Sequence, residues 1–414
     1  MNLRDKLRAV GGSSGGGKPR SRETGNGDCR HLAVFRPMSE FSGAMEVRRE
    51  TLARMSAAEL PESFDPRRIL YLDTETTGLG GSGTVAFLVG MGYLTDGGFE
   101  VHQFLMRDYD EEPFLLRHVE AGLNRFDMIC TFNGATFDLP LLEGRFLMNR
   151  MGRDSLQRPH LDLLQVARRL WKLRLGRCNL GRLEEVILGN PRENDLPGSE
   201  VPQRYFAYLK TRQESLLQDI LDHNAQDIAS LCVLLTHMAE MYEHPERIRF
   251  SEDVYSMGRA LERFHYPEEA RRCYRLASRG RTGSLASVAL AHSYRRGGER
   301  AEAARVWEEM IAARRGGVQP YIELAKYQEH TMRNPAEALR LTEKALALSS
   351  EATLRDSGTV QEIKNELQYR RRRLIRKMEA ADRKAREAEA AAASGEGERK
   401  SNGIRNDVQG EQGL

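Results

Sequence analysis

The chain has 414 residues, of which 40% are hydrophobic and 30% charged, and its formal net charge is +3. That length exceeds what one compact core accommodates, so two domains plus tails are expected, and the composition is that of a soluble protein. Near-neutrality excludes a protein that grips polyanions through its overall charge, so any nucleic-acid affinity must sit in local patches. Five cysteines, Cys29, Cys130, Cys178, Cys232 and Cys273, are scattered without a C-x-x-C spacing. This points to a reducing compartment and away from zinc or a disulfide framework. No apolar run approaches the ~20 residues of a membrane span, and the N-terminus lacks the apolar centre of a signal peptide. A cytoplasmic protein with no membrane contact is expected.

In chain order, residues 1–40 contain Gly-Gly-Ser-Ser-Gly-Gly-Gly at 11–17 between basic flanks and read as a disordered tail. Residues 41–64 read as a linker with one modest helical pattern, Met45, Leu52, Met55 and Leu60. A buried strand follows, because Ile69, Leu70, Tyr71 and Leu72 form an apolar, β-favouring run. Two acids interrupt it. Side chains alternate faces along a strand, so Asp73 and Glu75 point the same way. Like charges on one face of a buried strand repel and lose hydration, which costs several kcal/mol without a partner. A divalent cation compensates this, and hard carboxylate oxygens suit Mg²⁺ or Mn²⁺. The other reading of D-x-E alone is a strand end with two solvated acids. Thr76, Thr77 and Gly78 then turn the chain.

Residues 84–94 read as a second buried strand and 99–105 as a third, joined by the hairpin turn Thr95-Asp96-Gly97-Gly98. Residues 114–123 carry Phe114, Leu115, Val119 and Leu123 near the 3.6 period of a helix. A short strand then ends at Asn133-Gly134, and Asp138 opens an apolar helical segment. Gly134 allows close approach of backbone to a nucleotide. The Asn133 amide can bond a base, sugar or phosphate, and Asp138 is either a helix cap or the holder of a metal-bound water. In His160-Leu161-Asp162-Leu163-Leu164, His160 reads as structural, and Asp162 as a supporting contact near the site or a helix cap. Residues 163–189 interleave Arg168, Arg169, Lys172, Arg174, Arg177 and Arg182 with apolar positions. That is either a solvated helix face or one wall of a nucleic-acid groove. A helix from about Ser215 to Met241 sets His223 and Asp227 four apart on one face.

The string Asp73 to Leu79 resembles the first motif of the DEDD exonuclease superfamily, which has a ribonuclease-H-like fold. Asn133 to Asp138 resembles its N-x-x-F-D type of second motif, with Gly134 here following the Asn. Asp222 to Leu231 resembles its closing motif, and His160 to Leu163 is similar to the H-x-D-L element many members carry. With the loop at 195–202 (Asp195 to Pro202), Tyr205 and Tyr208, the four acids look most like the bacterial YprB-like family, over roughly residues 65–240. The resemblance implies an α/β ribonuclease-H-like domain over 65–245, a mixed central sheet flanked by helices. It implies Asp73, Glu75, Asp138 and Asp227 as ligands of Mg²⁺ or Mn²⁺. Asp73, Glu75 and Asp227 would hold one ion, Asp73 would bridge to a second, and Asp138 would act through water. Two such ions about 3.5–4 Å apart activate a water and stabilise the leaving oxygen of a phosphodiester. His223 would orient or deprotonate that water. Here the chain departs from both subtypes of the superfamily: a histidine stands at the spacing where one subtype has tyrosine. Thr76, Gly78, Leu79, Asn133, Gly134 and Phe137 are the implied substrate contacts. The implied reaction is 3′-to-5′ removal of nucleotides from single-stranded DNA or RNA, with a cut independent of a free end left open.

The second half repeats helical pairs. Ala270, Ala303 and Ala338 occupy matching places, a period of roughly 34, which is the tetratricopeptide spacing. Residues 250–350 therefore read as an all-α tetratricopeptide-like domain that binds a protein partner or extends the groove, with a generic helical bundle as the alternative. Residues 359–392 form a charged helix containing Arg370 to Arg373, Arg376 and Lys377. It caps the repeats, stays solvated, or binds a phosphate backbone. Residues 393–414 read as a disordered tail. The expectation is a metal-dependent nuclease with a partner-binding helical domain. The competing one is a non-catalytic scaffold that binds nucleic acid.

Overall fold

Among the described residues, seven strands form one sheet: β1 (Arg20–Arg22), β2 (Arg30–Pro37), β3 (Ile69–Thr76), β4 (Ala86–Leu94), β5 (Gly98–Leu105), β6 (Met128–Thr131) and β7 (His160–Asp162). A computed structural model of the chain describes residues 20–22, 28–56, 60, 62–78, 83–192, 196–351 and 357–405. The strand order is β1-β2-β5-β4-β3-β6-β7. β3, β4 and β5 are an antiparallel meander, with Thr95 N–H closing the turn on Gly98 O at 2.8 Å. β6 runs parallel to β3, and β7 parallel to β6. Helices between the strands and after β7 accompany the sheet: α1 (Arg49–Ser56), α2 (Glu112–Leu123), α3 (Asp138–Met148), α4 (Leu163–Leu175), α5 (Leu180–Leu183), α6 (Val201–Thr211) and α7 (Ser215–Glu243). A π turn, Glu184–Leu188, extends α5.

β3 lies inside the sheet, between β4 and β6, because Ile69 to Leu72 are apolar on both faces and can be covered on both. On one face Leu70, Leu72 and Phe87 share a core with Leu115, Val119, Leu142, Phe146 and Tyr205. The Phe87 and Tyr205 rings stack with centroids 3.9 Å apart. Each such burial contributes about 1.5–3 kcal/mol. The other face receives α7. A Cβ at Gly90 would meet Asn224 Oδ1 and Ile228 Cδ1, both at 2.2 Å, and one at Gly92 would meet Ile228 Cγ2 at 2.4 Å. These two glycines, on one face of β4, let α7 lie against the sheet and so bring motif three to β3.

The structure departs from the expected N-terminal tail. Residues 30–37 are not disordered but form β2, in register from Arg30↔Leu105 to Pro37↔Gly98. The apolar segment around Leu32 to Phe35 pairs with β5, which would otherwise leave its backbone groups unpaired. The start of β2 is clipped to α2. His118 Nε2 lies 2.9 Å from Asp28 Oδ1, and one ligand atom each from Asp28, Cys29 and His118 falls within 4.8 Å of the others. Burial and the neighbouring acids push the Cys29 thiol up to about 12. None of the five cysteines is in a disulfide, and all are buried. Among the described residues no helix is long and apolar enough to cross a membrane.

The domain boundary also moves. The chain divides into Met1–Arg281 and Thr282–Leu414 rather than near residue 250. Helices α8 (Ser251–Arg263) and α9 (Pro267–Ala277) belong to the first unit. Asp253 on α8, almost fully buried, accepts from Arg174 Nε and Nη2 of α4 at 2.7–2.9 Å. A Cβ at Gly258 would meet the Tyr274 ring at 2.7 Å, so α8 and α9 pack closely.

The second unit is all-helical, with α10 (Gly283–Arg296), α11 (Arg300–Ala312), α12 (Gln319–His330), α13 (Pro335–Glu351) and α14 (Ser357–Arg405). Ala303 and Ala338 are buried here, as Ala270 is in the first unit. The Arg run of α14 is largely engaged within the unit. Arg370 and Arg373 donate to Glu329, a buried carboxylate on α12, and Arg371 donates to Glu343 at 3.2 Å. Leu367 and Leu374 are buried beside them. The helix continues to Arg405 where a tail was expected from residue 393; residues 406–414 lie outside the described residues.

Candidate active site

Three elements bring the four predicted acids together. β3 supplies Asp73 and Glu75, the first residue of α3 supplies Asp138, and the middle of α7 supplies Asp227. Asp138 does not cap its own helix. Its Oδ1 accepts from Thr74 N–H at 3.0 Å and from Thr74 Oγ1 at 2.6 Å, which ties α3 to β3 between the two other acids. Asp73 Oδ2 accepts from Asn224 Nδ2 at 2.8 Å. Asn224 Oδ1 in turn accepts from Gln103 Nε2 at 2.9 Å, and Gln103 also donates to Leu221 O at 2.8 Å. Asn224 is 0% exposed, so this relay is sealed from solvent.

Burial and mutual repulsion hold the acids toward their neutral forms. Burial, then the charges of Asp227, Asp138 and Glu75, raises Asp73 well above the usual carboxylate range. Glu75 is pushed up to about 8 by burial and by Asp227 and Asp138, with Arg192 opposing. Burial pushes Asp138 up to about 6 against its bonds from Thr74. Asp227 is raised by burial, opposed by His223 and Arg192. An all-oxygen donor set of this kind, strained by its own charge, fits a hard divalent ion.

His223 Nε2 stands 3.6 Å from Asp227 Oδ2, one helical turn away. Asp222 points outward and accepts from Gln218 at 2.9 Å. Arg192 belongs to none of the motifs, yet its guanidinium donates to Asp227 and to the buried Glu184, with Nη1 3.2 Å from His223 Nδ1. A lone arginine far upstream of motif three has no spacing signal that marks it.

A cavity of about 740 Å³ adjoins the acids, lined by Asp73, Asp138, Thr76, Gly78, Asn133 and Phe137, with Leu141, Leu147 and Met148 at its apolar end. Phe137 is 51% exposed there. Thr76 Oγ1 donates to Gly78 O at 2.7 Å and closes the turn after β3. Leu79 and Asp195 lie outside the described residues. Asn133 has φ 69°, a left-handed conformation that Asn tolerates better than most residues. Asp162 holds it there: its carboxylate accepts from Asn133 N–H at 2.8 Å, Ala135 N–H at 3.3 Å and Leu164 N–H at 3.0 Å. Asp162 is thus both the cap of α4 and a support of the second motif. His160 Nε2 lies 2.8 Å from Thr131 Oγ1. Gly134 is not among the cavity-lining residues. A Cβ there would meet Thr131 Oγ1 at 2.4 Å, so glycine lets this turn pack on Thr131. In the basic stretch, Arg169 donates to Met55 O and Arg174 to Asp253, so both serve packing, while Arg168, Lys172 and Arg177 are exposed.

A family model described as the RNase_H superfamily matches residues 70–239. The uncharacterized protein YprB of Bacillus subtilis (strain 168) is 30% identical over 293 residues, covering 69% of this chain and 71% of YprB. The chain belongs to the RNase H superfamily. The superfamily match begins on the strand that carries Asp73 and Glu75 and ends on the helix that carries Asp227. The likeness to YprB is longer than the superfamily match. Among solved structures, the chain is similar to the family B DNA polymerase of the hyperthermophilic archaeon Pyrobaculum calidifontis, at 16% identity and a TM-score of 0.35. That match covers 52% of this chain and 30% of the polymerase, so the chain spans under a third of the polymerase's length.

Proposed function

We propose that this RNase H superfamily member is a metal-dependent nuclease. It hydrolyses phosphodiester bonds of single-stranded nucleic acid as a DEDD-type 3′-5′ exonuclease. The observation that carries the reading is the convergence of Asp73, Glu75, Asp138 and Asp227 beside a cavity lined by Asn133 and Phe137. When bound at these acids, two Mg²⁺ or Mn²⁺ ions supply neutralising charge and Lewis acidity toward water and phosphate. The chain's own residues do the rest. Thr74 and Asn224 fix the carboxylates of Asp138 and Asp73. His223, one turn from Asp227, would orient or deprotonate an attacking water. The exposed Phe137 ring offers a stacking surface for an unpaired base, the general mode of single-strand binding. Asn133, held in place by Asp162, offers its amide to sugar, phosphate or base. Buried cysteines without a disulfide favour a cytoplasmic setting. On the sequence spacing of Ala270, Ala303 and Ala338 the helical pairs are read as tetratricopeptide-like, and those of the second unit as a module for a protein partner.

The second reading is a weakly active or inactive nucleic-acid-binding scaffold, favoured by the ion pair that Arg192 makes with Asp227. An assay on single-stranded DNA and RNA with Mg²⁺ or Mn²⁺, wild type against Asp73→Ala, separates the two. A 5′-labelled strand should give a descending ladder, and a 3′-labelled strand should release its label at once, in the wild type only. Binding of either strand without any cleavage would leave the scaffold reading in place.

A further inference from the structure

The guanidinium of Arg192 is anchored at one end and aimed at the acid cluster at the other. Nε donates to Glu184, which is 1% exposed and whose second oxygen accepts from Ser230 Oγ. Nη2 donates to Asp227 Oδ1, and Nη1 lies 3.2 Å from His223 Nδ1. An arginine does not give up its charge in a protein, so this cation stays opposite Asp227 across all working pH. The same carboxylate belongs to the donor set that fits a divalent ion. A monovalent guanidinium and a divalent ion on one carboxylate repel each other, so each weakens the other's hold on Asp227. Glu184 keeps the arginine within reach when it releases Asp227.

We infer that Arg192 is a built-in counter-ion that competes with the divalent metal for Asp227. Loading the site breaks the Arg192–Asp227 bond while the Arg192–Glu184 bond persists, and the pair re-forms when the ion leaves. This rests on the metal-dependent reading above and states what governs occupancy of that site. A purely structural arginine, one that only orients Asp227, makes the opposite prediction: its removal would weaken metal binding.

The test is calorimetric titration of the full chain with Mn²⁺. Arg192→Gln should bind Mn²⁺ about tenfold more tightly than wild type, which is about 1.4 kcal/mol, and Arg192→Lys, which keeps the charge, should fall back toward wild type. Because Arg192→Gln leaves Glu184 buried without its cation, the double variant Glu184→Gln/Arg192→Gln removes both charges and should show the same tightening. Unchanged or weaker binding in both glutamine variants, with binding still abolished by Asp73→Asn, overturns the inference and leaves the metal site standing. No binding in any form overturns both. A crystal of the wild type grown with Mn²⁺ gives an independent answer. A guanidinium drawn off Asp227 supports the inference, and an ion at the acids with the pair intact overturns it.

Discussion

Asn224 Nδ2 lies 2.8 Å from Asp73 Oδ2, joining α7 to β3 across 151 residues of sequence. The amide fixes which oxygen of Asp73 stays free toward the other acids. Asn224→Ala leaves Gln103 with Leu221 O alone and opens a cavity in a sealed relay. We expect a loss of about 1–3 kcal/mol in denaturant melts, and a fall in Mn²⁺ affinity of about 10–100-fold, the usual effect of removing a group that orients a ligand.

Gly90 tests whether the approach of α7 builds the site. Its substituent would enter the space of Asn224 and Ile228, so Gly90→Ala should cost about 1–3 kcal/mol by overpacking and should weaken Mn²⁺ binding along with stability. Gly144, in α3, has open space around its Cβ position. Gly144→Ala should instead stabilise by about 0.5–1 kcal/mol through helix propensity. Equal effects at the two positions would contradict the packing argument.

On the proposed reading, Asp162 supports the substrate-contacting turn at Asn133 rather than the metal. Asp162→Ala removes the cap of α4 and two acceptors of the Asn133 turn, for an expected loss of about 2–3 kcal/mol. Mn²⁺ affinity should hold while strand binding weakens, as read by titration and by fluorescence anisotropy of a labelled oligonucleotide.

Much of this site is legible in the sequence because its signals are local. The run Ile69 to Leu72, the D-x-E alternation and the hairpin turn at 95–98 each follow from strand period or turn chemistry. The bonds that join the acids are not local. Asn224 to Asp73, Gln103 to Asn224 and Arg192 to Asp227 link distant side chains and leave no periodicity to read. Gly90 and Gly92 do carry a signal, since glycines at the strand period mark close approach of another element. β2 is hidden because its strand state depends on pairing with β5, and its Gly- and Arg-rich neighbours dominate the composition. The helical period shows that pairs exist but not where a pair packs, which the buried Asp253–Arg174 bridge decides.

The acids also set a pH dependence. Glu75 titrates at about 8 in the fold against 4.5 ordinarily, and Asp138 at about 6 against 3.8. Between those values the folded chain holds protons that the unfolded chain has released, so the stability these groups allow is present at low pH and falls as pH rises. In EDTA, wild type should therefore lose stability relative to Glu75→Gln from about pH 4.5 to about pH 8. Excess Mn²⁺ should remove that loss by binding the ionised form. A wild type that gains on Glu75→Gln with rising pH in EDTA would contradict it.

The most direct test of the metal site is thermal unfolding of the full chain with and without Mn²⁺, comparing wild type with Asp73→Asn. Ligand at 100 times its Kd adds about 2.7 kcal/mol to the folded state. A clear rise in the wild-type Tm, absent in Asp73→Asn, is the predicted result. A Tm indifferent to Mn²⁺ in the wild type, or raised equally in both proteins, would contradict a divalent site built on Asp73.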